Sequence, residues 1–168
     1  MTDLPIPEYD PSTLVRSITV EIEAPPAVVW DILLDLGNYG QWNPFCVAAE
    51  STLAMGSPVE MVLAGKYSGT DGTWSHTEYV CAIVPQRLLS WEQRATAESP
   101  YAARRDQIIE ARGDGGCRYY STDAFLGQHA AQVMTDTGGW VKRAFDDTAL
   151  ALKQYSERTY RSRTSAAS

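Results

Sequence analysis

Ala24-Pro25-Pro26-Ala27-Val28-Val29-Trp30-Asp31-Ile32-Leu33, with Trp42-Asn43-Pro44-Phe45 close behind, marks a strand-to-helix junction from which the architecture can be read outward. Upstream, residues 15–23 alternate, and Ile18, Val20 and Ile22 share one face of a predicted first strand. Two prolines then open a helix, because the first helical turn has no use for the N–H that proline lacks. Val29, Ile32, Leu33 and Leu36 recur at helical spacing, and Gly37 stops the run. A second short helix is expected over residues 39–42, ended by Pro44.

Beyond Phe45 the pattern changes to strands, over residues 46–53, 59–63, 74–84, 87–94, 103–112 and 117–126. Turn sequences separate them, among them Met55-Gly56-Ser57-Pro58, Ser68-Gly69-Thr70-Asp71-Gly72, Pro85-Gln86 and Gly113-Asp114-Gly115-Gly116. Consecutive hairpins imply an antiparallel meander. After Gly138-Gly139, residues 139–160 keep Val141, Phe145, Thr148, Leu152 and Tyr155 in helical register. A helix with one apolar face must lay it on the sheet, so pattern alone points to an α+β fold. Residues 1–13 read as an irregular arm, 14–162 as one domain and 163–168 as a flexible tail.

Composition narrows the function classes. The 168 residues carry a formal charge of −7, with 44% hydrophobic and 21% charged residues. That is ordinary for one globular domain and disfavours nucleic acid as a partner. Cys46, Cys81 and Cys117 lie far apart without a CxxC, so they read as reduced thiols of a cytoplasmic protein. The N-terminus lacks the basic flank and apolar core of a signal peptide. No apolar run approaches the ~20 residues needed to cross a membrane, so no membrane partner is expected. GxGxxG, Walker and GxSxG patterns are absent, and two histidines without a third ligand do not make a metal site. No cofactor and no metal are expected.

The order of strand, APPxxVW helix and WNPF resembles the opening of the START-like (SRPBCC, Bet v 1-like) superfamily, in its polyketide cyclase/dehydrase branch. Later segments are similar too. Pro85-Gln86-Arg87-Leu88-Leu89-Ser90-Trp91 matches a PxRLxW turn and strand, and Gly115-Gly116-Cys117-Arg118 a GGTR hairpin with cysteine for threonine. Ser121-Thr122-Asp123-Ala124-Phe125-Leu126-Gly127 resembles hTExFxG, with aspartate for glutamate. The run from Phe145 to Glu157 resembles the FnxxLxaLKxxaE helix. The resemblance spans roughly residues 15–160. It implies a helix-grip fold: a curved antiparallel sheet of six to seven strands around a long C-terminal helix, with two short helices after strand 1. It also implies a cavity for a small hydrophobic or aromatic ligand; the sequence leaves monomer or homodimer open.

Several side chains are candidates for that cavity. Leu89, Trp91 and Gln93 share a face, and an inward mixture of apolar and amide groups suggests a cavity wall. Trp42 and Asn43 are expected at the mouth, His129 in the loop before the last helix, and Trp140 and Phe145 on that helix. Any imidazole acid or base must be His76 or His129. His76 shares one strand face with Trp74, Glu78, Val80 and Ala82; Tyr79 lies on the other. Both faces are mixed, and a single bulge would swap them. Arg105, Gln107 and Ile109 share a face, as do Tyr119, Ser121, Asp123 and Phe125, with Tyr120 on the opposite side. An arginine in an apolar cavity needs an anionic or carbonyl partner and suits a developing oxyanion; otherwise Arg105 points to solvent or pairs with Asp106 or Glu110.

Two function classes follow. One is a cofactor-independent cyclase, aromatase, dehydratase or isomerase of a polyketide-like or aromatic carbonyl compound. Its catalytic groups would be His76, Arg105, Tyr119 and Tyr120. The other is a carrier whose polar groups only orient a hydrophobic ligand.

Overall fold

The computed structural model describes residues 3–167. Its main elements are β1 (Leu14–Arg16), β2 (Val20–Ile22), α1 (Pro26–Leu34), β3 (Cys46–Glu50), β4 (Pro58–Ala64), β5 (Thr73–Val84), β6 (Leu88–Gln93), β7 (Ala102–Ala111), β8 (Cys117–Leu126) and α2 (Ala130–Ala166). The sheet is antiparallel in the order β1-β8-β7-β6-β5-β4-β3, with β2 also paired to β8. This is the α+β helix-grip arrangement: one face of the sheet closes on α2, and α1 packs at the end of the grip.

The eighth strand arises because the expected first strand is broken. Ser17 donates its amide to the Ser121 carbonyl, while its hydroxyl oxygen accepts the Ser121 N–H. The register with β8 then advances by one residue between Arg16 and Val20. Val15 and Ser17 face inward before the shift, Val20 and Ile22 after it. Ile18, expected in the buried face, is therefore exposed, and its N–H bonds Asp146 of α2 at 2.7 Å. The strand expected to reach residue 53 ends at Glu50; Leu53 takes a positive φ of 58° in the loop that follows. In place of the second short helix there is a 3-10 run, Leu36–Gln41.

A bulge near Cys81 shifts the β5–β6 register. It decides which β5 side chains look inward. His76 and Glu78 face the helix side, and Val80 joins the main core. Ala82 turns outward, away from the face expected for it, into a second cluster with Leu88 and Ile108.

α2 is the largest departure in length. It runs from residue 130 through 166 rather than 139–160, so the expected tail is helical as far as Ala166. Ser168 lies outside the described residues. Glycine costs a helix interior about 1 kcal/mol relative to alanine, which tertiary contacts can override. From residue 138 onward α2 buries Gly138, Val141, Ala144, Phe145, Ala149 and Leu152 in the main core. Polar tethers fix the same half. Lys142 reaches the Arg16 carbonyl at 3.3 Å, and Lys153 the Glu21 carbonyl at 2.6 Å. Glu157 accepts the Glu23 N–H at 3.0 Å, and Tyr67 donates to Asp147 at 2.9 Å.

The arm lies across the outer face of the sheet. Leu4 and Ile6 cover the Ala82–Leu88–Ile108 cluster. The Asp106 carboxylate, fully buried, accepts from Tyr9 at 2.5 Å, from Arg104 Nε at 2.9 Å and from Ser90. Arg104 also donates to the Pro5 carbonyl at 2.8 Å. A hydrogen bond to a charged group contributes about 1.5–3 kcal/mol. Tyr9→Phe is expected to lower stability by about that amount in urea unfolding. An unchanged midpoint would mean that the arm is not docked.

Candidate functional site

Between the concave face of the sheet and α2 lies a cavity of about 340 Å³, at the small end of the range for ligand pockets. Its walls are mostly apolar and aromatic: Phe45, Met61, Leu63, Trp91, Phe125, Trp140, Val141 and Phe145. Trp74, Tyr101, Gln132 and Asp136 are exposed and form its rim.

Strand register builds the polar part. Arg105 on β7 stands opposite Trp91 on β6 and Asp123 on β8, so all three project from one row. The Arg105 side chain is buried, with its guanidinium carbon 4.3 Å from the Phe145 ring centroid and 5.9 Å from that of Trp91. Its Nε has no hydrogen-bond partner. Among the described residues, Arg105 forms no ion pair with any carboxylate. A buried cation is expensive unless something answers it. Two aromatic faces supply part of the answer. The Tyr119 hydroxyl, in hydrogen-bonding reach of the guanidinium, supplies another part, and a ligand oxygen at the unsatisfied Nε would add to it.

Two groups that share the cavity with Arg105 have shifted pKa values. Burial pushes the Asp123 carboxyl up to about 7, and the Glu78 charge adds to the rise; Arg105 and His76 offset it only in part. Asp123 keeps partial exposure, but that surface opens on the cavity, so it is screened less than a carboxylate in bulk water. His76 Nε2 lies 2.9 Å from Glu78 Oε1. Burial alone would lower the His76 pKa, but the Glu78 hydrogen bond and the Glu78 and Asp123 charges outweigh it, and the net shift is upward. Glu78 Oε2 is buried without a partner.

Of the side chains singled out in the sequence, His76, Trp91, Arg105, Phe125, Trp140 and Phe145 line the cavity. Tyr119 and Gln107 lie beneath it: the tyrosine hydroxyl donates to Gln107 Oε1 at 3.4 Å, and burial raises the phenol pKa. The other expected positions are corrected. Tyr120 is on the outer face under the Arg16 guanidinium, 3.9 Å from its ring centroid. Tyr79 is likewise outside, under Arg94. Trp42 packs on Tyr39 and Tyr155, and Asn43 is buried with its Oδ1 accepting the Phe45 and Cys46 N–H groups at 2.9 Å. Asn43 is thus a turn-forming residue that starts β3. His129 packs on Tyr101 just outside the rim.

Asp123 and Glu78 were missed as functional groups. Alternation places Glu78 with His76, and Asp123 with Tyr119 and Phe125, so the signal was present. Gln132, Asp136 and Thr137 gave none, because they precede the expected helix. Among the described residues no group of three or more His, Cys, Asp or Glu side chains is arranged to hold a metal. No helix there is long and apolar enough to cross a membrane. The cavity can hold a carbonyl oxygen at Arg105 and exchange protons at Asp123 and His76.

Comparison with known proteins agrees with this geometry. The sequence profile of the family described as polyketide cyclase / dehydrase and lipid transport matches residues 15–157. No curated protein matches the chain. Among solved structures, it is similar to an aromatase/cyclase from Streptomyces, with 19% identity, a TM-score of 0.62, and coverage of 86% of this chain and 93% of that one. It is also similar to a di-domain aromatase/cyclase of the steffimycin biosynthetic pathway, with 12% identity, a TM-score of 0.62, and coverage of 86% and 45%. A third similar structure is Ara h 8.0201, with 14% identity, a TM-score of 0.62, and coverage of 85% and 96%. At these identities the structures speak to the fold, and the profile match to the family. By that match, and with a helix-grip cavity to go with it, the chain belongs to the polyketide cyclase / dehydrase and lipid transport family.

Proposed function

We propose that the protein is a cofactor-independent cyclase, aromatase, dehydratase or isomerase of a polyketide-like or aromatic carbonyl compound. The observation that carries this reading is the buried Arg105 guanidinium, facing the cavity without a carboxylate in contact, one strand from Asp123. A substrate carbonyl oxygen accepts from Arg105. Ionised Asp123 removes a proton from the adjacent carbon, and the electron pair moves onto that oxygen as an enolate, which the guanidinium stabilises. The enolate carbon then bonds to a second carbonyl carbon of the same confined chain. The new alkoxide takes a proton from protonated His76, which Glu78 favours. In the loss of water that follows, neutral His76 takes the remaining α-proton and Asp123 protonates the departing hydroxide, so both groups return to their starting states. The cavity holds the reacting carbons close together and excludes bulk water.

Carrier function is the second reading, favoured by the apolar wall of Phe45, Met61, Leu63, Phe125 and Val141. One substitution separates the two. Arg105→Met keeps the apolar stem and deletes the charge. In an enzyme it is expected to lower turnover by about 10²–10³ with folding intact. In a carrier it changes affinity only, and the ligand is recovered chemically unaltered.

Asp123 sets a pH dependence. Because its pKa is raised in the folded state, the folded protein holds a proton that the unfolded chain has released between pH ~4 and ~7. Stability from this group is full below that window and is lost as pH rises through about 7. Relative to Asp123→Asn, the wild type is expected to lose on the order of 2–4 kcal/mol between pH 4 and 8. Parallel pH profiles for the two proteins would refute the assignment. With Asp123 as the base and protonated His76 as the acid, turnover rises with pH on a limb centred near 7 and falls again at higher pH as His76 loses its proton; Asp123→Asn removes the rising limb.

A further inference from the structure

α2 is one continuous helix with two unlike halves. From residue 138 onward it is buried at regular intervals and tied to β1, β2 and the 65–67 turn by the lysine, aspartate and glutamate contacts described above. From 131 to 137 no residue is fully buried; Val133 and Met134 are half-buried against the main core, and Ala130 before them is buried in it. The side-chain hydrogen bonds of that stretch all stay within the helix: Gln132 to Asp136, Thr135 to the Ala131 carbonyl and Thr137 to the Val133 carbonyl. His129 precedes the first turn without a side-chain cap.

Glycines bracket this stretch. Gly127 has a φ of +79°, and Gly138-Gly139 sit in the helix interior. Gly138 has a packing reason, since a Cβ there would lie 2.7 Å from Met134 Sδ. Gly139 has none: the nearest heavy atom to its Cβ position is Arg143 Nη1 at 3.8 Å. A helix-weakening residue where alanine would fit marks a point where flexibility is retained. The stretch also carries Gln132, Val133, Asp136 and Thr137, which close one side of the cavity opposite Trp74 and Tyr101.

We propose that residues 131–137 are a gate over the cavity, pivoting between the buried Ala130 and Gly138-Gly139, and that its opening is the route by which ligand enters and leaves. This rests on the cavity being the ligand site. The tethered half of α2 stays in the grip while the two turns without polar tethers swing away from Tyr101 and Trp74, parting only the half-buried Val133 and Met134 from the core. A 340 Å³ cavity can then admit a ligand larger than its closed mouth passes. Asp136 and Gln132 meet the ligand first.

Gly139→Ala stiffens the pivot without touching the cavity. The probe is N-phenyl-1-naphthylamine, an uncharged dye that brightens in apolar sites, followed by stopped-flow fluorescence. Its association and dissociation rates are expected to fall together, each about three- to tenfold, while Kd stays within about twofold and the melting temperature rises. Unchanged rates with a raised melting temperature would overturn the gate. Hydrogen exchange on the unmodified chain gives an independent readout. Amides of 135–141 are expected to exchange at least about tenfold faster than those of 145–155. Equal protection of the two halves would overturn the gate as well. If the dye does not bind at all, the cavity reading fails, and the exchange contrast alone decides whether the gate exists.

Discussion

The Arg105 guanidinium lies against Phe145 and Trp91, cut off from water and from any carboxylate in contact. Desolvating a cation costs several kcal/mol, and stacking on aromatic faces returns about 2 or more. The difference must be carried by the rest of the fold, through the Asp123 charge across the neighbouring strand and the packing of α2 over the row. That packing is the helix grip itself. The polar tethers from Lys142, Asp146, Lys153 and Glu157 hold α2 in place, so Phe145 stays over Arg105. The same charge keeps Asp123 from rising further, which leaves its carboxyl poised near neutrality rather than permanently protonated.

The outer face mirrors this design with the opposite outcome. Asp106, next in sequence to Arg105, is equally buried but satisfied by Tyr9, Ser90 and Arg104. Alternation along β7 thus sends one charged side chain into a saturated network and its neighbour into an unsaturated cavity. The arm completes the saturated side. A cation with an unsatisfied Nε and no carboxylate in contact, next to a carboxylate that is fully bonded, is the pattern of a site kept open for a ligand.

Much of the fold was legible because hydrophobic alternation, turn glycines and one amphipathic helix survive in the sequence. The α+β class and the hairpin order follow from period-two and helical spacing, and the helix-grip form from the family resemblance; alternation groups Arg105 with Gln107 and Trp91 with Leu89 but leaves open whether Arg105 faces the cavity or solvent. What was not legible depended on register. Ser17 substitutes its side chain into the β8 ladder and turns Ile18 out. The bulge at Cys81 sends Ala82 to the other face from Val80. Tyr120 and Tyr79 read as cavity candidates by residue type, but their parity places them outside. Gly138-Gly139 read as a helix start because glycine is a poor helix former, and the two turns before it, with their cavity-lining side chains, went unseen. Apart from the two tyrosines, whose parity was readable, none of these carries a local composition signal, since each is decided by a partner strand or by tertiary packing.

The central claim is that Arg105 is held without a protein counter-ion so that it can meet a ligand oxygen. Side-chain 15N NMR tests it directly, by following the arginine Nε–H resonances while 2-acetylnaphthalene, an aromatic ketone, is added. The account calls for one slowly exchanging Nε–H signal, lost in Arg105→Met, that moves on binding while those of exposed arginines such as Arg94 stay fixed. Ketone binding detected by fluorescence with the Arg105 signal unmoved, or an Arg105 signal exchanging with water as fast as those of surface arginines, would contradict it.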